Sequence, residues 1–114
     1  MTPTPDVAVI VLSTAPSEEI AEHLARSLVD ERLAACVNRV PGVQSTYRWE
    51  GKVETATEVL LIIKTHSACA PELTRRLQEL HPYEVPEVLA LPVGAGSAAY
   101  LAWIKAATAR VDGS

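Results

Sequence analysis

Few side chains in this sequence could do chemistry. They include two cysteines, Cys36 and Cys69, and three histidines, His23, His66 and His81. A metal site needs such groups at spacings that a turn or helix can bring to one ion. No CxxC, HxxH or HExxH pattern occurs. The stretch His81-Pro82-Tyr83-Glu84-Val85-Pro86-Glu87 sets possible ligands at i, i+3 and i+6. Pro82 and Pro86 forbid the regular helix that would align them. Spacing alone therefore favours structural or solvated histidines, with His23 on a polar helix face and His66 in a turn. Nucleophilic catalysis needs a Cys or Ser beside a base. Cys36 opens an apolar segment, the setting of a small buried hydrophobe, and no GxSxG occurs. No enzyme is expected.

Two further features carry alternatives. Gly94-x-Gly96 lies between a strand and a helix, as in a dinucleotide fingerprint. That fingerprint needs a second strand with an acid ~20 residues on, and the chain is helical there, so a tight connection is the better reading. Tyr47-Arg48-Trp49-Glu50-Gly51 puts large aromatics near a turn. Such residues anchor an interface or cleft, or pack locally.

The elements that must position these residues follow from periodicity. Asp6–Ser13 reads as a strand buried on both faces. Pro16 and two acids open a helix that shows Ile20, Ala21, Leu24, Ala25, Leu28 and Val29 on one face and ends near Leu33. Ala34–Val40 is a strand, Pro41-Gly42 a bend or bulge, and Val43–Trp49 extended. Glu50-Gly51 turns the chain into a return strand, Val53–Thr65. A helix at 68–80 presents Leu73, Leu77 and Leu80, and His81-Pro82 stops it. Val85–Val93 is a strand whose prolines suit an edge or strand end. Ser97 caps a last helix, Ala98–Arg110, with Leu101, Ile104 and Ala107 inward. This order is the split βαβ, ferredoxin-like α+β pattern (βαββαβ) plus one C-terminal helix. Its two long helices cover one sheet face. One Ala-rich helix is too little for the other face, which predicts an oligomer.

Composition bounds the function. The 114 residues are 48% hydrophobic and 21% charged, the proportions of a globular chain read as one domain, 1–114. The net charge of −4 and the lack of a basic stripe exclude general nucleic-acid binding. No apolar run reaches a membrane span. The N-terminus has no secretory features, so a reducing cytoplasm and free thiols are expected.

Several motifs together resemble the CutA family of divalent-cation tolerance proteins. They are Leu33-Ala-Ala-Cys36-Val-Asn38, Pro41-Gly42, Tyr47-Arg-Trp49-Glu-Gly51, Lys64-Thr65, His81-Pro-Tyr-Glu-Val-Pro-Glu87 and Tyr100-Leu-Ala-Trp103. They occur in family order and span about residues 7 to 108. The resemblance implies a ferredoxin-like subunit in a cytoplasmic homotrimer, without established catalysis. Intersubunit clefts would gather Cys36, Trp49, Glu58, Lys64, Tyr83 and Trp103. It also implies a copper ion, or another divalent metal. Family members credited with a copper site carry Cys before Thr-Ala-Pro and His-His before Pro-Tyr. Here Ser13 and Leu80 stand at two of those places and only His81 remains, so copper would be held weakly, or not at all, or by other residues such as Cys36 and nearby carboxylates. An alternative is a signalling trimer similar in plan to the PII-type regulators. Its cleft, with aromatic walls, Lys64 and Glu58, would take a small polar anion or metabolite.

Overall fold

The computed structural model describes residues 6–109. Four strands, β1 (Ala8–Ala15), β2 (Cys36–Trp49), β3 (Lys52–His66) and β4 (Leu89–Pro92), alternate with three helices, α1 (Glu18–Asp30), α2 (Ala70–Leu80) and α3 (Ala98–Ala107). The chain order is β1-α1-β2-β3-α2-β4-α3, and a single 3-10 turn, Ser67–Cys69, leads into α2. The strands form one antiparallel sheet in the order β2-β3-β1-β4. This is the ferredoxin-like α+β fold.

Directly paired residues share a face. Val9, Val11 and Ala15 of β1 and Val59, Leu61 and Ile63 of β3 meet Leu24 and Leu28 of α1 and Leu73 and Leu77 of α2 in the main core. The opposite face carries Ile10, Leu12 and Thr14 beside Lys64, Ile62 and Leu60. Leu91 and Leu89 of β4 extend it. Only α3 lies on that side. Its Ile104 packs with Ala8 and Ala35, flanked by Val93, Leu101 and Ala107. Leu12, Leu60 and Ile62 remain half-buried, and Val40, Leu89 and Leu91 are exposed.

The β2–β3 hairpin reaches well past the core. The molecule measures 46 × 29 × 28 Å, with a radius of gyration of 15.0 Å. A chain of this size folded into a sphere-like domain has about 13 Å. Glu50 (φ 49°) and Gly51 (φ 79°) are both left-handed, as a two-residue hairpin turn with the native twist requires. Between Val40 and Val43 the register shifts, and Pro41 and Gly42 (φ 75°) together oppose Val59. This bulge keeps Cys36, Asn38, Val40, Val43, Ser45 and Tyr47 on the same face as Lys64, Ile62, Leu60, Glu58, Ala56 and Glu54.

Several boundaries differ from the sequence reading, each for a local reason. β1 begins and ends two residues later, continuing through Thr14 and Ala15, which pair with Leu60 and Val59. Ser17, not Pro16, opens α1, its side chain accepting from the Ile20 N–H. α1 stops at Asp30 because Arg32 turns left-handed (φ 61°). The Leu33 N–H then bonds the Leu28 carbonyl and the Arg32 N–H that of Val29, a Schellman ending built without glycine. Val29 is 42% exposed rather than in the core. The last strand is four residues instead of nine. Pro82 and Pro86 withhold donors, and the start of this stretch is tied down through the side chains of His81 and Tyr83. α3 keeps its Ser97 cap, whose Oγ accepts from the Tyr100 N–H, but ends at Ala107. Arg110 lies outside the described residues.

Arg32 occupies a conformation that glycine adopts without the Cβ penalty. Arg32→Gly should raise the thermal midpoint by a few degrees, equivalent to about 0.5–1 kcal/mol. Calorimetric melting checks this; no gain would mean the Arg32 side chain makes an offsetting contact.

Candidate functional site

His81 follows the last turn of α2, where its N–H closes onto the Leu77 carbonyl. Its ring is buried, 7% exposed, and both nitrogens are engaged. The Tyr83 backbone N–H donates to Nδ1 at 3.0 Å. Nε2 lies 2.7 Å from the Thr14 carbonyl oxygen. An amide only donates and a carbonyl only accepts, so the ring is the Nε2–H tautomer. A metal would have to take the Nδ1 lone pair from the Tyr83 amide. Ser13, next to Thr14, faces the helices with 0% exposure, and its Oγ has no hydrogen-bond partner. Among the described residues, no group of three or more His, Cys, Asp or Glu is placed to hold an ion.

His81 thereby aims the following loop at β3. Tyr83 lies beside it, with ring centroids 4.7 Å apart. The Tyr83 hydroxyl donates to Glu58 Oε2 at 2.8 Å. Glu58 is 7% exposed, just past the bulge, and takes part in none of the ion pairs among the described residues. Desolvation, and then the neighbouring Glu58, push the Tyr83 hydroxyl up to about 12.

A second group forms on the same sheet face, farther along β3. Cys36 and Lys64 are paired across β2 and β3. Lys64 Nζ reaches the Tyr100 hydroxyl at 3.4 Å and stands 5.5 Å from the centre of that ring. Tyr100 and Trp103, one turn apart on α3, have ring centroids 5.4 Å apart and planes 32° from parallel. Six residues separate Glu58 from Lys64 along the strand, about 20 Å. The six cleft candidates therefore do not form one group within a subunit. Glu58 and Tyr83 meet around His81. Lys64 and Trp103 flank Tyr100, a residue of the Tyr100-Leu-Ala-Trp103 motif that was not among the cleft candidates, and Cys36 joins this group through its pairing with Lys64. Trp49 closes the hairpin turn opposite Lys52, away from both and 55% exposed.

The remaining candidates have structural settings. His23 is exposed on α1. His66 ends β3 rather than lying in a turn, and is buried, its Nε2 2.7 Å from Asp6 Oδ1. Asp6 also accepts from Lys105 at 2.9 Å, and this bond to the ammonium, with lesser help from His66, holds its carboxyl below the usual range. Cys36 and Cys69 are free and partly buried, and the Cys69 Sγ lies 3.6 Å from the Thr108 carbonyl. A groove of about 690 Å³ runs between α1 and the free edge of β2, lined by Glu22, Arg26, Asp30, Val37 and Arg39. It contains none of the candidates.

The family model described as CutA1 divalent ion tolerance protein matches residues 9–107. The Divalent-cation tolerance protein CutA of Thermus thermophilus is 52% identical over 96 residues, covering 84% of this chain and 93% of that protein. Protein CutA of Mus musculus is 48% identical over 101 residues, 89% of this chain. The match spans only 57% of the mouse protein's length. Among solved structures, that of the Thermus thermophilus protein aligns with a TM-score of 0.87 at 50% identity, covering 90% of this chain and 99% of its own. CutA1 from Oryza sativa aligns at 0.89 and 47%, covering 92% and 96%.

Tyr83 provides a spectroscopic handle on this geometry. Its raised pKa means that its contribution to stability is complete below pH 10 and is lost as pH rises from about 10 to about 12. Ultraviolet titration should show one tyrosine ionising near 12, and Glu58→Gln should move it toward the ordinary value. A titration unchanged by Glu58→Gln would contradict the Tyr83–Glu58 bond.

Proposed function

Because the chain belongs to the CutA1 divalent ion tolerance protein family, we propose that it is a non-catalytic homotrimer of the cytoplasm connected with divalent-cation tolerance, its working surface lying between subunits. The observation that carries this reading is the sheet's second face. Leu12, Leu60 and Ile62 are only half-buried there and Leu89 and Leu91 are exposed, adjoining apolar residues of the kind that mark an association surface. The free edges of β2 and β4 lie at opposite ends of the same sheet. Copies that join the β2 edge of one to the β4 edge of the next would associate head to tail, an arrangement that forms a ring where the rotation between copies closes. Three copies is the number the family resemblance implies. The cytoplasmic assignment rests on the family resemblance, and two free thiols are compatible with it.

The residues present do not fit a copper ion at the family's positions. Ser13 offers a buried hydroxyl, Leu80 offers nothing, and His81 already spends both nitrogens. A contribution to tolerance would then run through other residues or through a ligand. Copper titration of the reduced, metal-free protein should give the same stoichiometry for the parent and for His81→Ala. Loss of one ion per subunit in the variant would restore His81 as a ligand.

A second reading, a small-molecule-binding trimer of the PII-like plan, is favoured by Lys64, Tyr100 and Trp103. Together they place a cation beside exposed rings with no carboxylate paired to it. Sedimentation equilibrium tests the shared premise of both readings. The expected mass is three times the 12.2 kDa subunit. A stable monomer at micromolar concentration would overturn both.

A further inference from the structure

We propose that Lys64, Tyr100 and Trp103 form a binding shelf for a planar organic carboxylate. This inference rests on the small-molecule-binding reading above and names the class of ligand.

Three observations converge on it. The first is the charge. Lys64 is half-buried between its strand neighbours Ile10 and Cys36, and its ammonium takes part in none of the ion pairs among the described residues. Its one hydrogen bond is the long contact to the Tyr100 hydroxyl, 3.4 Å. An ammonium carries three donors, so two of them have no protein acceptor among the described residues. The second is shape. Tyr100 and Trp103 are 43% and 46% exposed, with planes tilted 32° to one another, which puts two exposed rings beside that charge. The third is the helix that carries them. α3 reads Ala-Ala-Tyr-Leu-Ala-Trp-Ile-Lys-Ala-Ala, apolar nearly all round, yet buries only the side bearing Leu101, Ile104 and Ala107. A helix apolar on every side is normally covered on every side.

The charge count narrows the ligand. Lys105, the cation that α3 itself carries, is already engaged by Asp6. A single ammonium matches a singly charged carboxylate better than a phosphate near two negative charges, which proteins meet with forked guanidinium groups or with rows of backbone N–H groups. Ring stacking requires the body to be planar, and the ammonium requires the end to be anionic.

The test uses the assembled protein and follows the Trp103 indole N–H resonance during titration with 2-naphthoate. The naphthyl ring supplies the plane and the carboxylate the charge. Cyclohexanecarboxylate lacks the plane, and 2-naphthylmethylamine reverses the charge. Saturable shifts with 2-naphthoate are expected, with binding at least about tenfold weaker for both counterparts, for Lys64→Gln and for Tyr100→Leu. The two counterpart compounds need no variant, so the comparison stands even if a substitution impairs folding. Equal binding of the amine, or no effect of Lys64→Gln in a folded variant, would overturn the proposal. Inorganic phosphate and a panel of other metabolites are run beside it. If one of them binds and 2-naphthoate does not, the carboxylate assignment falls and the ligand-binding reading survives. If none binds, both fall.

Discussion

The centre of the sheet needs cover on both faces, and the chain supplies helices for only one. β1 lies between β3 and β4, with Val9 and Val11 on one side and Ile10 and Leu12 on the other. Burying a Leu or Ile side chain is worth about 1.5–3 kcal/mol. The helix side realises this fully, with Leu24, Leu28, Leu61, Ile63, Leu73 and Leu77 sealed from solvent. The opposite side realises it only where α3 crosses. Most of the functional interpretation follows from this imbalance, because whatever completes the second face must also meet the polar groups embedded in it.

Those polar groups are few and well separated. Glu58 is buried with a neutral donor, Tyr83, and Lys64 is half-buried beside two rings. The bulge at Pro41-Gly42 matters here. Without the extra residue, the outer half of β2 would turn its alternate side chains to the other face. With it, Val43, Ser45 and Tyr47 continue the surface begun by Cys36, Asn38 and Val40. His81 plays a comparable part on the loop, since its two hydrogen bonds tie residues 81–83 to the end of β1 and deliver the Tyr83 hydroxyl to Glu58. A residue whose type suggests metal chemistry is occupied with holding a backbone turn.

The strands, helices and hairpin were legible because their signals are local. The apolar run of β1, the leucine spacing of α2 and Glu50-Gly51 each state their own conformation. The bulge was legible for the same reason, as Pro and Gly interrupt an otherwise extended segment. What stayed hidden depends on neighbours distant in sequence. Nothing around Arg32 announces a left-handed residue, because the ending depends on Leu33 packing beside Leu28 in the core. The shortening of the last strand required knowing that His81 would bond the Thr14 carbonyl, 67 residues away in sequence. The separation of the cleft candidates into two groups within the subunit was not legible, since it depends on which strand and helix residues lie side by side. Tyr100 was visible in the Tyr100-Leu-Ala-Trp103 motif, but its contact with Lys64 on β3 depends on where α3 lies against the sheet.

Amide hydrogen exchange along the two sheet edges tests the central claim most directly. In an isolated subunit, alternate N–H groups of Cys36–Val40 and of Leu89–Leu91 point away from the sheet and exchange at near-unprotected rates. If copies of this chain cover the second face and its edges, those outward amides are protected as strongly as the amides of β1. Fast exchange at both edges, at concentrations where sedimentation finds no dissociation, would contradict edge-to-edge assembly.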